Sequence, residues 1–219
     1  MIGCIIQARM KSCSLNGKIL ENIDENYTVL DVVINQVKKS KKIKKIVVAT
    51  TNYNEDKPIW KHLESKKIEY YKGSNNIFQR YFECAKKFGF NKIIRIFGNH
   101  PFVDPEIIDK MILEKESNGY QFISNHIECT FPHGTEIEIF DTAILKNIEY
   151  TNLEFDNTDI QSIILKNNKL KIKNFKNFKN LSHLNYTVNT IQDVKVLREI
   201  MGKIPNRPIH VQDLDMGNN

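Results

Sequence analysis

Short apolar segments alternate along this chain with longer stretches whose apolar residues recur every three or four positions. The first pattern predicts buried β-strands, and the second predicts amphipathic helices. Strands are predicted at residues 2–7, 43–50, 68–71, 92–96, 120–124, 135–140 and 184–188. Helices are predicted at about 28–39, 55–66, 76–88, 105–118 and 141–148, with a final helix that begins after Thr190.

Two of the predicted helices carry clear local signals. The helix at 76–88 places its apolar residues on one face: Ile77, Phe78, Tyr81, Phe82, Ala85 and Phe88. The helix at 105–118 follows Asp104-Pro105-Glu106, which supplies an N-cap, a proline at the first helical position and an acidic first turn. Strands that alternate with helices favour an α/β fold with a mostly parallel central sheet and helices on both faces.

The second half of the chain is patterned less clearly. Residues 150–182 are rich in Asn and Lys and show little periodicity. No internal repeat and no clean linker interrupts the sequence. We therefore predict one domain over residues 1–219, with an elaboration at about 125–185.

Composition excludes several classes of protein. The chain has 219 residues, of which 41% are hydrophobic and 26% charged, as in a globular protein. No apolar run approaches the roughly 18 residues of a membrane span, and no signal-peptide pattern precedes the first strand, so we expect a cytoplasmic protein without a membrane partner. The cysteines at positions 4, 13, 84 and 129 have no metal-site or disulfide-framework spacing.

The net charge of +6 raises the question of nucleic-acid binding. Lysines cluster at 38–45 and 166–179, but neither cluster lies in a recognisable nucleic-acid-binding motif. We interpret them as solvated helix ends and loops and expect no nucleic-acid partner. Arginine is rarer and forms a planar bidentate fork that lysine does not replace, so its few positions carry more information. Arginine occurs at positions 9, 80, 95, 198 and 207.

The loop after the first strand is the strongest candidate for chemistry. It carries Arg9, Lys11, Ser12 and Lys18. Backbone N–H groups and fixed cations at the end of a strand suit a polyphosphate. The loop lacks the G-x-x-x-x-G-K-[S/T] and G-x-G-x-x-G patterns. Taken alone, it is equally compatible with an ordinary basic surface loop.

An ordered set of motifs gives this loop a context. The set comprises Ile5-Ile6-Gln7-Ala8-Arg9-Met10-x-Ser12 with Gly17-Lys18, residues 46–51, Gly73-Ser74 with Arg80-Tyr81, Arg95-Ile96-x-Gly98-x-x-Pro101-x-x-Asp104-Pro105, Ser124-Asn125, Pro132-x-Gly134-x-Glu136-x-Glu138 and residues 181–188. With these motifs, most of the chain resembles the nucleotide-sugar cytidylyltransferases, which include the acylneuraminate and 3-deoxy-manno-octulosonate enzymes. The resemblance is strongest to the spore-coat polysaccharide synthesis branch.

The resemblance implies a three-layer, Rossmann-like nucleotidyltransferase fold and a reaction for surface polysaccharide or glycan synthesis. A sugar hydroxyl, often of an acidic sugar, attacks the α-phosphate of CTP and expels pyrophosphate. Arg9 and Lys18 are the implied catalytic residues that hold the triphosphate. The implied nucleotide-binding residues also include Gln7, Ala8, Ser12, Thr50, Thr51, Arg80, Arg95 and Gly98, and the implied substrate-binding residues are Asn125, His133, Glu136 and Glu138. The family also leads us to expect Mg²⁺, a homodimer, and a role in acceptor binding or dimerisation for the elaboration at about 125–185.

Four departures from the family pattern bear on activity. The loop has Ser14 where the family has a second arginine and Asn16 where it has proline. The two metal-binding aspartates of the family correspond to Asn99 and Asn189, and an amide oxygen is a weaker Mg²⁺ ligand than a carboxylate. The family's Glu-His-Val-Thr stretch has no clear equivalent around residues 155–160. We therefore expect Mg²⁺ binding to be weak or lost.

Other side chains near these motifs have more than one interpretation. Asp104 is expected to cap a helix rather than replace the missing metal ligands. His100 is expected to be a surface histidine at the start of a helix, and the alternative is a role as ligand or base. The role of His133, beside Glu136, is similarly ambiguous.

Three functions remain open. The first is an active cytidylyltransferase with an altered metal site, and the second is a catalytically degenerate relative that binds nucleotide or sugar as a regulator or partner subunit. The third is an unrelated basic α/β binding module. The cations of the first motif favour nucleotide binding, whereas Asn99 and Asn189 weigh against ordinary Mg²⁺-dependent turnover.

Overall fold

A seven-stranded β-sheet lies at the centre of the computed structural model, which describes residues 1–10, 17–149, 159–204 and 207–216. The strands are β1 (Ile2–Gln7), β2 (Ile46–Thr51), β3 (Tyr70–Gly73), β4 (Lys92–Phe97), β5 (Phe122–Ser124), β6 (Glu138–Asp141) and β7 (Ile172–Asn174). Their spatial order is β3-β2-β1-β4-β6-β5-β7. β6 runs antiparallel to both of its neighbours, and the other pairings are parallel.

The helices cover both faces of this sheet. They are α1 (Val29–Val37), α2 (Lys57–Ser65), α3 (Ile77–Phe88), α4 (Pro105–Asn118), α5 (Thr142–Glu149), α6 (Ile160–Leu165), α7 (Ile191–Lys203) and α8 (Val211–Met216). Short 3₁₀ turns at Lys18–Leu20 and Asn54–Asp56 follow β1 and β2. In the described part of the chain, no helix is long and apolar enough to cross a bilayer.

Alternate residues of each strand enter two separate cores. On β1, Cys4 and Ile6 pack in the core that α1, α2 and α4 cover, whereas Ile5 packs in the core that α3, α5 and α6 cover. Successive side chains of a strand point to opposite faces, so a sheet buried on both sides produces near-continuous apolar strands. The three-layer α/β fold with a mostly parallel sheet is therefore confirmed.

The predicted helix starts coincide with observed caps. Thr190 and Asp193 form a complete capping box at the start of α7, and the Asp104 carboxylate accepts hydrogen bonds from the N–H groups of Glu106 and Ile107. The strand ends shift by a few residues. Pairing of β2 with β1 begins at Cys4 opposite Ile46, so the predicted start at residue 43 is too early.

The predicted strand at 184–188 is wrong. This segment makes one isolated parallel bridge, between His133 and Asn185, and then crosses Gly134 closely. A Cβ atom on Gly134, whose φ is +88°, would lie 2.5 Å from the backbone of Tyr186 and Thr187. Val188 packs instead in a third apolar cluster with α7.

Three elements were not predicted. Helix α6, strand β7 and helix α8 have six, three and six residues. Such lengths are too short for a periodic signal, and tertiary contacts decide their conformation. Helix α8 also means that the helix after Thr190 is not the final one.

Candidate functional site

The candidate site lies at one edge of the sheet, where β1, β2 and β4 end and the antiparallel β6 begins. Gln7 at the end of β1 connects its parts. Its Oε1 atom lies 3.4 Å from the hydroxyl of Tyr81, which is on α3, and 3.5 Å from Nη2 of Arg95, which is on β4. Gly98 must be small here, because a Cβ atom would lie 2.8 Å from the backbone oxygen of Gln7 and 3.5 Å from Ala8.

The loop after β1 is closed at its base by a backbone hydrogen bond. Gly17 donates to the carbonyl of Met10 at 2.8 Å and adopts a φ of +76°, which glycine tolerates without strain. Arg9 precedes Met10 and Lys18 follows Gly17, so the two cations lie on either side of this hydrogen bond. Both are half-buried. Neither cation has a hydrogen-bond partner among the described residues. Ser12, Ser14 and Lys11 lie outside the described residues.

A buried carboxylate that the sequence analysis missed connects β2 to this loop. Asp56 accepts from the hydroxyls of Thr50 and Thr51 at 3.0 and 2.5 Å, and from the backbone N–H of Met10 at 2.6 Å. Both threonine side chains are buried, so in this conformation they hold the loop rather than face a ligand. Asp56 occupies the N-cap position of α2, but its side chain makes no cap hydrogen bond there. The carboxylate turns back to β2 instead, and the local sequence does not reveal this contact.

Arg80 supplies a further cation on this side of the site, and it is fully buried, whereas Arg9 is half-buried. Its Nη1 atom donates to the carbonyls of Ser74 and Asn75 at 2.7 and 3.1 Å, whereas its Nε atom has no described partner. Burial lowers the pKa of Arg80 to about 10, and the positive charge of Arg9 acts in the same direction. The guanidinium stays charged at neutral pH. Two cations held close together form a site that an anion would stabilise.

Arg95 and Glu138 form a buried ion pair between β4 and β6. Nη1 of Arg95 lies 2.8 and 3.0 Å from the two oxygens of Glu138, and 2.8 Å from Oδ1 of Asp159. Burial alone would lower the pKa of Arg95, but Glu138 raises it above its usual range. The pairing follows from the sheet register, which places Arg95 directly opposite Glu138. These two residues, predicted to bind different ligands, bind each other.

His126 extends this ion pair toward the loop between β5 and β6. Its Nε2 atom lies 3.0 Å from Oε1 of Glu138, and its Nδ1 atom lies 3.4 Å from the amide nitrogen of Gln161. The hydroxyl of Ser124 donates to Oε1 of Gln161 at 2.7 Å and so orients that amide. Neither His126 nor Gln161 was identified from the sequence, because no motif marks either of them.

Glu136 lies at the centre of a second set of polar contacts. Its carboxylate accepts the N–H of Gly134 at 2.7 Å and lies 3.3 Å from Nδ1 of His133. Nδ1 of His100 is 3.0 Å from Oε2 of Glu136, yet without the alignment of a hydrogen bond. Burial acts to raise the pKa of Glu136, but the neighbouring imidazoles and the Gly134 N–H hold it below its usual range.

Asn125 has a structural role at the base of this loop. Its Nδ2 atom donates to the carbonyl of Thr135 at 3.0 Å, and its Oδ1 atom accepts from the N–H of Ile137 at 2.7 Å. The side chain is almost fully buried. Asn125 therefore fixes the loop that carries Glu136 and His133.

His100 is buried, so the expectation of a surface histidine is wrong. Its ring lies 4.6 Å from that of Phe97, centroid to centroid. Burial lowers the pKa of His100 from 6.5 to about 4, so the imidazole is neutral at pH 7. Its neighbours on the other elements are Glu136, His126, Arg95 and His133.

The buried His100 leads to an expected pH dependence of stability. In the unfolded chain the imidazole takes up a proton below about pH 6.5, whereas in the folded protein it stays neutral down to about pH 4. The stability that it contributes is therefore present above pH 6.5 and is lost as the pH falls to about 4. We expect His100→Asn to remove about 3 kcal/mol of this loss, measured by urea denaturation at a series of pH values.

His183, which is exposed, provides the matched control. His183→Asn should leave the acid-induced loss of stability unchanged. If His100→Asn loses as much stability on acidification as this control, His100 does not carry the effect.

The two asparagines at the predicted metal positions lie side by side. Nδ2 of Asn99 is 3.3 Å from Oδ1 of Asn189, and the carbonyl of Asn99 accepts the N–H of Val188 at 3.0 Å. The backbone N–H of Asn189 is bonded to Asp193, whose carboxylate caps α7. Within the described ranges, no three His, Cys, Asp or Glu side chains form a metal-binding group. The donor set here is neutral, so it does not fit a hard divalent cation well.

Comparison with known proteins agrees with this architecture. The sequence model of a family described as Cytidylyltransferase matches residues 3–196. The spore coat polysaccharide biosynthesis protein SpsF of Bacillus subtilis is 33% identical over 128 residues, which are 55% of this chain and 53% of that protein. The chain spans about half the length of the curated relatives it matches.

Solved structures extend the similarity to nearly the whole chain. A cytidylyltransferase from Leptospira borgpetersenii serovar Hardjo-bovis superposes with a TM-score of 0.91 at 29% identity, over 98% of this chain and 92% of that one. A CMP:2-keto-3-deoxy-manno-octonic acid synthetase complexed with CTP has a TM-score of 0.68 at 13% identity, over 92% of this chain and 98% of that one. At that identity, the second likeness concerns the fold alone.

Proposed function

This chain belongs to the cytidylyltransferase family, and we propose that it transfers CMP from CTP to the hydroxyl of a sugar or acidic sugar for polysaccharide or glycan synthesis. The sugar oxygen forms a bond to the α-phosphorus, and the bond from that phosphorus to the bridging oxygen of pyrophosphate breaks. The hydroxyl proton is released. The similarity to SpsF supports the link to polysaccharide synthesis, and the match to the cytidylyltransferase family supports the choice of nucleotide.

The cations at the end of β1, which have no ion-pair partner among the described residues, are the observation that carries this proposal. Arg9 and Lys18 flank the closed loop, and the buried guanidinium of Arg80 lies close to Arg9. Phosphoryl transfer depends chiefly on positioning the phosphates and on offsetting the charge that moves to the leaving group. We assign this role to the three cations. Asp56 then keeps the backbone of Met10, and with it the loop, in place.

We assign Mg²⁺ a smaller part in the reaction than it would have in a site with two carboxylates. Asn99 and Asn189 offer neutral oxygens, and one of these already accepts a hydrogen bond from the other side chain. This observation also favours a second candidate function, in which the protein binds nucleotide or sugar without turnover. Release of pyrophosphate separates the two functions.

The proposed function is tested by mixing the protein with CTP, Mg²⁺ and a panel of sugars and measuring pyrophosphate. CTP should be used in preference to UTP, ATP and GTP. Binding of CTP without pyrophosphate from any sugar would support the second candidate. If CTP fails to bind even at millimolar concentration, the proposed function is wrong, and if no nucleotide or sugar of the panel binds, the second candidate is wrong as well.

Restoring the carboxylates gives a quantitative test of the altered metal site. The double substitution Asn99→Asp with Asn189→Asp should strengthen Mg²⁺ binding about tenfold or more, because each carboxylate adds a charged oxygen ligand. Titration of Mg²⁺ in the CTP-bound protein measures the change. The control is Asn22→Asp with Asn185→Asp, which adds the same charge elsewhere. An equal response in both variants would show that net charge alone is responsible.

A further inference from the structure

The two threonines at the end of β2, which the family resemblance implies in nucleotide binding, are engaged within the protein. Thr50 is 0% and Thr51 is 1% exposed, and the hydroxyls of both donate to Asp56. A nucleotide at this edge of the sheet therefore needs other side chains for its contacts beside β2. The next residues along the chain, 52–55, are all exposed.

Tyr53 is an exposed aromatic residue on a fixed backbone. It is 48% exposed and belongs to none of the four apolar clusters that the described residues form. Its N–H donates to the hydroxyl of Thr51 at 3.3 Å, and its carbonyl accepts from the N–H of Asp56 at 3.0 Å. The backbone thus holds the ring at a defined place, although the ring adds nothing to these apolar clusters.

An open cavity adjoins this ring. Its volume is about 430 Å³, and the described residues that line it are Asn52, Tyr53, Asn54 and Glu55. Small-molecule sites measure roughly 300 to 1,000 Å³ and combine aromatic surface with a few polar groups. Here a phenol ring lies beside two amides, each of which carries hydrogen-bond donors and an acceptor. A flat ligand with polar edges fits this combination.

The position of Tyr53 in the sheet favours the nucleotide over the acceptor sugar. β2 lies on one side of β1, whereas β4 and β6 lie on the other. The N–H of Asn52 donates to the carbonyl of Gly73 at 3.0 Å, and a Cβ atom on Gly73 would lie 3.0 Å from Cγ of Arg80. The same turn, through Asp56, holds the loop after β1. The cavity therefore adjoins the cations to which the proposed function assigns the phosphates.

We propose that Tyr53 stacks on the cytosine base of the bound nucleotide, in the open cavity beside β2. This inference rests on the proposed function and deepens it, because it assigns the base its contact. Single exposed aromatic residues are ordinary on protein surfaces, but this one has a fixed backbone and a cavity at the carboxyl ends of parallel strands, where ligands of α/β proteins bind. Stacking uses the faces of the base and leaves its edges for the amides of Asn52 and Asn54.

Calorimetric titration of the full chain with CTP, cytidine and tripolyphosphate tests this inference. Tyr53→Ala should weaken the binding of CTP and of cytidine about tenfold or more, because an aromatic partner of the base is lost. Tripolyphosphate has no base, so its binding should not change. Tyr53→Phe keeps a ring and should bind CTP as the unaltered protein does, whereas Tyr53→Leu keeps apolar surface without a flat ring and should bind more weakly than Tyr53→Phe.

Tyr27 provides the matched control. It is 43% exposed and lines a different cavity, beside α1 and α7. Tyr27→Ala should leave the affinity for CTP unchanged. The melting temperatures of both alanine variants should differ little from that of the unaltered protein, since neither ring lies in an apolar cluster of the described residues.

Three results would overturn the inference. The first is an unchanged affinity of Tyr53→Ala for CTP, and the second is an equal loss in Tyr53→Phe. The third is a loss of tripolyphosphate binding by the same factor as CTP, because the substitution would then disturb the phosphate loop. A higher KM for the sugar with an unchanged KM for CTP would place the ring on the acceptor side and would also contradict it.

The outcomes separate this inference from the proposed function. If the unaltered protein binds CTP but releases no pyrophosphate with any sugar, the proposed function fails, and the titrations still decide whether Tyr53 contacts the base. If pyrophosphate is released but Tyr53→Ala binds CTP normally, the inference alone fails. If the unaltered protein does not bind CTP, both fail.

Discussion

Replacing Glu138 with glutamine is expected to lower the free energy of unfolding by about 3 kcal/mol at pH 7. The substitution nearly preserves the shape of the side chain but removes its charge. Arg95, which is 2% exposed, would then keep only the partly exposed Asp159 as an anionic partner among the described residues. A buried charge that loses its counter-ion costs far more than the pair contributes when intact. Urea denaturation followed by circular dichroism measures the loss.

A surface ion pair on the same strand gives the control for this prediction. Lys92 of β4 pairs with Glu116 at 2.9 Å, but both side chains are partly exposed to solvent. Glu116→Gln should cost less than about 1 kcal/mol. The double variant Arg95→Met with Glu138→Leu should lose less stability than Glu138→Gln, because both buried charges of the pair are removed and Asp159 is partly exposed to solvent. If Glu138→Gln costs no more than the surface control, the ion pair does not stabilise the fold as argued.

Replacing Lys18 with alanine is expected to lower pyrophosphate release by about 1000-fold. Under the proposed function, the ammonium group offsets charge that develops on the departing pyrophosphate. Lys18 is half-buried and has no described partner, so its loss should change the free energy of unfolding little. The rate of pyrophosphate release and the melting temperature, measured on the same preparation, separate the two effects.

Lys195 on α7 is the matched control for Lys18, because it is exposed and its substitution removes the same charge. Lys195→Ala should retain the activity of the unaltered protein. Cytidine carries no phosphate, so its binding should be similar in the two variants. A loss of cytidine binding in Lys18→Ala would mean that the substitution disturbs the whole nucleotide side.

Much of the fold could be predicted because its main elements carry local signals. The β1 segment is apolar up to Ile6, α3 has a regular apolar face, and Thr190 with Asp193 marks the start of α7. β7 could not be found in this way. Its three residues become a strand because β5 lies beside them with matching register. The segment at 184–188 alternates like a strand, but its close crossing over Gly134 limits it to one bridge.

Less of the candidate site could be predicted from the sequence, because residue types do not reveal which side chains contact each other. Arg95 and Glu138 were identified separately, yet their partnership depends on the register of two antiparallel strands. Asp56 carries no motif that singles it out in the sequence, and its contacts with Thr50 and Met10 arise from the fold. Conversely, Asn99 and Asn189 are far apart in the chain, and their predicted proximity matches the observed contact.

The reversed direction of β6 separates the site into two stretches of sequence. β1, β2 and β4 bring their last residues to the site, whereas β6 brings its first residue, Glu138. Under the proposed function, the nucleotide side is therefore encoded largely up to residue 98, and the acceptor side is encoded largely after it. Such an arrangement favours divergence by exchange of the later segment. Under the proposed function, a chimera that takes residues 100–188 from a relative would inherit a new acceptor preference while its nucleotide-binding residues stay unchanged, provided that a partner for Arg95 is retained.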